Sequence, residues 1–201
     1  MVSWSVAFQE SIRIFAMYFF TADEHYDHEK IIQYCHRPFA DVAVMNTVMI
    51  GNHNKVVGKN DITVHIGDFG WFKNKSQADE IIRELNGNHI FIRGSHDRWL
   101  PSNHRTMWRK HIDGQFIVCC HYAMRTWERA HYGAWQLYGH SHGGLLPIGK
   151  QWDVGVDNNA FFPVSFERLK SVMALLPPTH SIAIRPPMVV QSSEQIRQEL
   201  L

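Results

Sequence analysis

Residues 62–68 read Ile-Thr-Val-His-Ile-Gly-Asp, a short apolar run that stops at a glycine and an acidic residue. Its length and β-branched composition are typical of a buried strand, and Gly67-Asp68 ends it. Four other strand-like segments are also followed closely by Asp or His, namely 15–21, 89–93, 115–120 and 135–138. Segments with helical spacing alternate with the strands. The pattern therefore predicts an α/β domain of layered sheets and helices.

The polar residues at these strand ends predict one shared site, because ligands of α/β sheets bind beyond the carboxyl ends of the strands. The candidates are Asp23, His25, Asp68, Ser95, His96, Asp97, His121, His140 and His142. Two carboxylates and four imidazoles, with His96 and Asp97 left aside, suit two borderline cations such as Mn²⁺, Fe²⁺ or Zn²⁺. Two ions ~3.5–4 Å apart can clamp a phosphoryl group and activate a hydroxide nucleophile. His96 is then free to protonate the leaving oxygen.

Five motifs in order carry a family resemblance: Asp23-x-His25, Gly67-Asp68, Gly94-Ser95-His96-Asp97, His121 and Gly139-His140-Ser141-His142. Over residues 17–160 the chain resembles the calcineurin-like metallophosphoesterases. The region 23–39, with His28 and Arg37-Pro38-Phe39, looks like the small stand-alone bacterial and phage members. The resemblance implies two mixed β-sheets packed as a sandwich with flanking helices.

The resemblance also implies a role for each motif residue. One metal would be held by Asp23, His25 and His142, and Asp68 would bridge both metals. The second metal would be held by His121, His140 and the side chain of Ser95. His96 would be the general acid, oriented by Asp97. The cofactors implied are two divalent transition metals, Mn²⁺ first, with Fe²⁺, Zn²⁺ or Ni²⁺ as alternatives.

Three residues are candidates for binding the substrate. Arg98 follows the Ser95-His96-Asp97 motif closely enough to reach a phosphate oxygen. His28 could face the substrate or cap the helix that it starts. Arg37 could bind a phosphate or pin its loop. Trp71 and Trp99 lie just after metal motifs and are candidates for a wall on the substrate side.

Position 95 departs from the family, which normally has Asn there. Its amide oxygen ligates the second metal, whereas the Ser95 hydroxyl is shorter and neutral. We therefore expect a weaker second metal site. Gly51-Asn52-His53 and Gly87-Asn88-His89 match the missing Gly-Asn-His, but neither follows a strand ahead of an acidic residue, so both are interpreted as structural.

The function expected from these residues is hydrolysis of a phosphoester, with a phosphodiester favoured over a monoester and a small, nucleotide-like substrate. A rival hypothesis is a silent metal-binding module, in which Ser95 has inactivated the site and the proline-rich tail engages a partner. A nuclease is the third hypothesis. The formal net charge of +1 does not favour nucleic acid as the partner.

The chain organisation is expected to be a single domain over 17–173, preceded by an extension over 1–16 and followed by a proline-rich tail over 174–201. Helices are predicted at 28–35, 42–57, 76–85 and 165–173, with Ser76 and Asp79 as a capping box, and a further strand at 151–156. No segment reaches the ~20 apolar residues of a membrane helix, and 1–16 does not resemble a signal peptide. Three cysteines, two of them adjacent, fit a reducing cytoplasm.

Overall fold

A computed structural model describes residues 16–179 of the chain. The strands are β1 (Tyr18–Thr21), β2 (Ile62–Ile66), β3 (Asn88–Ile92), β4 (Met107–Ile112), β5 (Gln115–Cys120), β6 (Trp135–Tyr138), β7 (Gln151–Asp153) and β8 (Val164–Ser165). The α-helices are α1 (Glu29–Tyr34), α2 (Val42–Val56), α3 (Lys75–Glu84) and α4 (Phe166–Leu175). Two 3₁₀ turns cover Ala130–Tyr132 and Val156–Asn158. Residues 1–15 of the expected extension and 180–201 of the expected tail lie outside the described part.

The strands form two four-stranded mixed sheets. The first has the order β3-β2-β1-β8, in which β1, β2 and β3 are parallel and β8 is antiparallel to β1. The second has the order β4-β5-β6-β7, in which β5, β6 and β7 are parallel and β4 is antiparallel to β5. This arrangement confirms the architecture that the family resemblance implies.

Alternation along the strands divides the core into layers. In β5, Ile117 and Cys119 belong to the apolar cluster shared by the two sheets, whereas Val118 between them packs on the outer face with Trp127. Successive side chains of a strand point to opposite faces, which produces this separation. The shared cluster also contains Phe20 of the first sheet, so the two sheets pack face to face.

Helices α1, α2 and α3 cover the outer face of the first sheet. Their buried side chains include Ile31, Met45 and Ile81, which lie in one apolar cluster with Phe69. Helix α4 supplies further residues to the cluster between the sheets. The sheets and helices leave the carboxyl ends of the parallel strands as one edge on which loops can build a site.

Several details of the structure differ from the sequence-based expectation. The strand predicted at 151–156 covers only Gln151–Asp153. The edge strand β4 was not expected, because its sequence Met-Trp-Arg-Lys-His-Ile is largely polar. In the structure its side chains are mostly exposed, and it pairs with β5 through main-chain hydrogen bonds. The two-residue strand β8 was also not expected. Helix α3 begins one residue earlier than predicted, and its N-cap is Asn74, whose side chain accepts a hydrogen bond from the Gln77 amide; the Ser76–Asp79 capping box is therefore wrong.

No helix within residues 16–179 is long and apolar enough to cross a membrane. Helix α4 continues to Leu175, two residues beyond the expected domain end at 173. The following residues still pack on the domain, since the Lys150 ammonium donates hydrogen bonds to the carbonyls of Met173 and Leu176.

Candidate metal centre

The carboxyl ends of five parallel strands meet at one edge of the molecule. Asp23 follows β1, Asp68 follows β2 and the 94–97 loop follows β3 in the first sheet, while His121 follows β5 and His140 follows β6 in the second. Main-chain hydrogen bonds join these loops: the Asp23 amide donates to the Gly67 carbonyl, and the Gly139 amide donates to the His121 carbonyl.

The strand-end residues form two adjacent groups of metal-ligand type. The first contains Asp23, His25 and His142, and the second contains Asp68, His121 and His140; within each group the ligand atoms lie within 4.8 Å of one another. Asp68 joins the groups, because its Oδ2 is 3.2 Å from His121 Nε2 and 3.8 Å from His25 Nε2. Each group takes side chains from both sheets.

The centre has a buried floor and an open rim. Asp23, His25, Asp68 and His121 are at most 2% exposed. The rim is more accessible, since His140 is exposed and the side chains of His142 and His96 are 23% and 38% exposed. An ion on the floor would thus be shielded from bulk water on one side and reachable by a ligand on the other.

Two imidazole nitrogens on the floor fit a cation. Nε2 of His25 and Nε2 of His121 are buried and make no well-oriented hydrogen bond, and the closest acceptor of His121 Nε2 is the Asp68 carboxylate at 3.2 Å, itself a metal-ligand group. The other ring nitrogens are engaged: Nδ1 of His121 lies 2.9 Å from the Ile66 carbonyl oxygen, and Nδ1 of His25 lies 3.1 Å from Nδ1 of His28. Ligating histidines typically have one nitrogen on the metal and the other hydrogen-bonded. Buried nitrogens without a well-oriented bond are otherwise costly, so the side chains present fit a divalent transition metal.

The electrostatics of the floor also favour a cation. Burial raises the pKa of Asp23 to about 7, although His121 and His142 partly offset the cost of its charge. Burial would also raise the pKa of Asp68, but its contacts with His121 and the charge of His25 hold that pKa below its usual value. A buried anion of this kind is stabilised by a bound cation.

Burial keeps His25 neutral, because it lowers the pKa of this side chain well below 6.5. The opposite holds for His121: burial alone would lower its pKa, yet Asp68 and Asp23 raise it to about 9. The proton on His121 is the one that a cation would have to replace, since metal ligands bind in their deprotonated form.

The backbone at the centre is strained. Asp23, His25, Asp68, His140 and His142 all have positive φ, between 47° and 67°. Asp and His tolerate the left-handed region better than most residues, but each such position costs stability. Strain of this kind concentrates at functional sites, where neighbouring contacts enforce it.

Close backbone approach explains two glycines of the motifs. Gly67 has a φ of +89°, and a Cβ there would collide with the His121 ring and with Gly94. A Cβ on Gly94 would collide with Asp68. The loops after β2, β3 and β5 therefore pack so tightly that only glycine fits at these two positions.

No family model matches the sequence. The uncharacterized protein MJ1445 of Methanocaldococcus jannaschii is 33% identical over 154 residues, which cover 73% of this chain and 85% of the archaeal protein. This chain belongs to the family of that archaeal protein.

Two solved structures are also similar to this family member. The protein of unknown function AQ665 from Aquifex aeolicus superposes with a TM-score of 0.61 at 21% identity, covering 79% of this chain and 100% of the other; it shares the fold. A conserved uncharacterized protein of Streptococcus pneumoniae, described as a predicted phosphoesterase, has a TM-score of 0.39 at 16% identity and covers 70% of this chain and 71% of its own.

Arg37 is a buried structural residue in this family member, and its assignment as a phosphate-binding residue is wrong. It is 4% exposed. Its guanidinium donates to both carboxylate oxygens of Asp157, at 2.8 and 2.7 Å, and to the main-chain carbonyls of Asp23 and Glu24. Because its donors are directed inward, Arg37 anchors the loop that carries Asp23 and His25. Loop anchoring was the second of the two roles considered for Arg37 from the sequence.

The structural role of Asp97 also differs from the one expected. Its carboxylate is fully buried and accepts hydrogen bonds from the amides of Asp68, Phe69 and Gly94 and from the Trp99 indole. None of these four donors belongs to the His96 ring, so Asp97 organises the metal-ligand loops and does not orient His96. By accepting from three main-chain amides, the Asp97 carboxylate holds the Asp68 and Gly94 loops together.

The other motif residues of that loop lie at the rim. The His96 amide donates to Asp68 Oδ1 at 2.8 Å, and His96 Nε2 is 3.9 Å from Asp68 Oδ2. The Ser95 hydroxyl contacts the same carboxylate, at 3.1 and 3.4 Å from its two oxygens. Arg98 is exposed beside them, with its guanidinium 5.8 Å from the centre of the Trp71 ring.

The two tryptophans proposed as a wall on the substrate side differ in exposure. Trp99 is 7% exposed and packs in the core beneath the loop, so its assignment to the substrate side is wrong. Trp71 is 45% exposed and stacks on His28 at 4.6 Å. His28 occupies the N-cap position of α1, but its ring makes no capping hydrogen bond and lies between the rings of His25 and Trp71.

The histidines interpreted as structural lie beside one another against the first sheet, His53 and His65 buried and His89 half-buried. His65 contacts Glu24 Oε1 at 2.6 Å and His89 Nδ1 at 3.0 Å, and His53 contacts the Asn86 carbonyl at 2.9 Å. Both Gly-Asn-His copies therefore lie away from the metal centre, His53 within α2 and His89 within β3.

Sequence reasoning missed Asp153 and Asp157. Asp157 Oδ2 lies 2.7 Å from His142 Nδ1, and burial of this carboxyl is outweighed by His142 and Arg37, which lower its pKa. Asp153 accepts hydrogen bonds from the Ser141 hydroxyl and the Gly143 amide. The strand predicted at 151–156 also ends at an Asp, so the same strand-end pattern could have identified Asp157.

Proposed function

We propose that this protein is a metal-dependent phosphoesterase of the metallophosphoesterase type that the motifs resemble. The observation that carries the proposal is the pair of His/Asp groups around Asp68, with two imidazole nitrogens on a buried floor that make no well-oriented hydrogen bond. Two divalent transition metals, with Mn²⁺ as the first candidate, would occupy the groups. When bound, the cations would activate water as a nucleophile and neutralise charge on the phosphoryl oxygens.

The chain's own residues have distinct tasks in this reaction. Asp23, His25 and His142 would hold one cation, His121 and His140 the other, and Asp68 both. His96 lies at the accessible rim within 3.9 Å of Asp68, where its imidazole can donate a proton to the departing oxygen. Arg98 is the exposed cation near that rim and would contact the phosphate.

The substrate that we propose is a small phosphodiester, favoured over a monoester because its alkoxide leaving group benefits from a general acid. A small phosphoester needs only the rim of the centre, whereas a nucleic acid needs a cationic track that a net charge of +1 does not favour. The domain that we propose for this activity spans 17–173. We place it in the cytoplasm, because Cys35, Cys119 and Cys120 are all free thiols, which suits a reducing compartment.

Hydrolysis of bis-p-nitrophenyl phosphate tests this function. Metal-stripped protein is titrated with Mn²⁺ and compared with His96→Ala and with His131→Ala, which removes an exposed histidine from a different loop. We expect turnover to appear with Mn²⁺, to fall by about 100-fold or more in His96→Ala, as for loss of a general acid, and to persist in His131→Ala. Bound Mn²⁺ without any turnover would contradict the proposal.

The second candidate function is a silent metal-binding module, and the observation that favours it is Ser95. The Ser95 hydroxyl points at Asp68 and brings no amide oxygen to the second group. Ser95→Asn separates the two functions, with Ser95→Ala as the matched control. We expect Ser95→Asn to tighten Mn²⁺ binding at the second group and to raise turnover. A wild-type protein that is inactive but becomes active as Ser95→Asn would establish the silent module instead.

A further inference from the structure

An aromatic side chain stands exposed at the edge of the metal centre. Trp71 is 45% exposed, whereas the other tryptophans within residues 16–179 are buried or half-buried. Its ring centre lies 5.1 Å from that of His96 and 4.6 Å from that of His28, on which it stacks at 19°. An exposed indole face at this place offers a broad apolar surface on which a planar group can stack.

The position of this ring is fixed by the metal-ligand loops. The Trp71 amide donates a 2.8 Å hydrogen bond to the carbonyl of Tyr26, the residue after His25. His28 Nδ1 lies 3.1 Å from His25 Nδ1, so the rings of His25, His28 and Trp71 form a continuous series from the buried floor to the surface. These contacts therefore hold the indole in a fixed position beside the two ligand groups.

The chemistry at His96 determines which part of the substrate meets Trp71. The general acid stands beside the departing oxygen, and therefore the group attached to that oxygen extends to the His96 side of the centre. Trp71 lies on that side. We propose that Trp71 forms a stacking shelf for the leaving group, so that the preferred substrates are phosphoesters whose leaving group carries a planar aromatic ring. This inference rests on the proposed function of the same site.

A leaving group with a planar aromatic ring could be either a nucleoside or a simple aryl alcohol. Binding to the Mn²⁺-loaded full chain is measured by calorimetry for two matched pairs: adenosine 5′-monophosphate against ribose 5-phosphate, and phenyl phosphate against methyl phosphate. Within each pair the phosphate is kept and the aromatic group is replaced by a small group, a hydroxyl in the first pair and a methyl in the second. Preference confined to the first pair would identify a nucleoside, and preference in both pairs a general aryl shelf.

We expect the aromatic member of at least one pair to bind about fivefold or more tightly, the range of stacking on an aromatic side chain. Trp71→Ala should bring that ratio close to one, Trp71→Phe should keep part of it, and Tyr132→Ala, which removes an exposed aromatic from another loop, should leave it unchanged. Mn²⁺ content of each variant is measured alongside, so that a damaged metal centre is not read as a lost shelf.

Ratios near one in the wild-type protein, ratios that survive in Trp71→Ala, or no binding of any of the four compounds would each overturn the shelf. Its failure differs from failure of the proposed function. Turnover of bis-p-nitrophenyl phosphate with ratios near one removes only the shelf, whereas Trp71-dependent ratios without turnover remove only the catalysis.

Discussion

At the scale of single residues, the metal centre depends on charges behind the ligands. Arg37 and Asp157 form a nearly buried pair, with side chains 0% and 10% exposed. Asp157 holds His142 by its Nδ1, and Arg37 holds the main chain of Asp23. The pair therefore fixes two of the three members of the first group from opposite sides.

Substitution of Asp157 should weaken the first metal site. Asp157→Asn keeps the shape but removes the charge that polarises His142 and balances Arg37, and loss of such a supporting carboxylate typically costs about 10- to 100-fold in metal affinity. We expect a Mn²⁺ dissociation constant raised by that factor in equilibrium dialysis. The matched control is Asp113→Asn, an exposed aspartate paired with Lys170. Wild-type affinity in a folded Asp157→Asn protein would contradict the role assigned to this carboxylate.

At the scale of elements, a buried histidine cluster joins α2, β2 and β3. The ring centres of His53, His65 and His89 lie 5.2 to 6.2 Å apart. Burial lowers the pKa values of His53 and His65 to about 3 and that of His89 to about 4. Glu24, which contacts His65, is affected in the opposite sense, since burial raises its pKa to about 8.

The cluster predicts loss of stability in acid. A histidine whose pKa is about 3 in the folded chain and 6.5 in the unfolded chain takes up its proton on unfolding between those values. Its contribution is therefore complete above pH 6.5 and is lost as the pH falls towards 3, by up to ~1.4 kcal/mol per pH unit for each histidine. Glu24 contributes a slope of the opposite sign between pH 4.5 and 8, so a difference between variants is the clean measurement.

His53→Gln isolates one histidine, because a glutamine amide can replace its hydrogen bond to the Asn86 carbonyl. We expect the free energy of unfolding in urea to fall less steeply in His53→Gln than in the wild type between pH 6.5 and 5. His131→Gln, at an exposed site, should follow the wild type. Parallel pH profiles for all three proteins would show that His53 does not charge on unfolding.

At the scale of the whole molecule, the metal centre lies between the two sheets. Each ligand group combines residues that follow strands of the first sheet with residues that follow strands of the second. The connection also exists without a cation, because the His140 amide donates to both carboxylate oxygens of Asp23, at 2.9 and 2.8 Å. A bound ion would therefore link the sheets at their carboxyl edge.

Such a link predicts thermal stabilisation by metal. A ligand that binds only the folded chain adds about 2.7 kcal/mol at 100 times its dissociation constant, which for a domain of this size raises Tm by roughly 5–10 °C. We expect this shift on adding Mn²⁺ to stripped protein, its reversal by chelator, and its loss in Asp68→Asn. An equal shift in Asp68→Asn would mean that the stabilising ion binds elsewhere.

The site residues were accessible to sequence reasoning because each one ends a strand. Gly67-Asp68 stops an apolar run, and the same local pattern recurs at Asp23, His121 and His140. Strand order and direction then bring these ends together. The exposed edge strand β4 was not accessible in this way, since its polar residues carry no buried periodicity and its pairing with β5 is made by the main chain.

The roles of Arg37, Asp97 and Trp99 could not be read from local pattern. Arg37 precedes a proline in a loop, which is compatible with either phosphate binding or loop anchoring, and its partner Asp157 lies 120 residues away. Asp97 adjoins His96 in the chain, but adjacent residues in a turn point in different directions. Its carboxylate accordingly faces the amides of Asp68 and Phe69.

Hydrophobic period and chain punctuation are local properties, so they were enough to predict the α/β class, the five strand ends and the set of Asp and His side chains that gather there, and the family resemblance divided that set into two metal sites. The packing of the two sheets set the inward direction of Arg37 and Asp97, the ring nitrogens that make no well-oriented hydrogen bond, and the exposure of Trp71 in contrast to the burial of Trp99. These features depend on distances between segments remote in the chain, and such distances are set by how the two sheets pack.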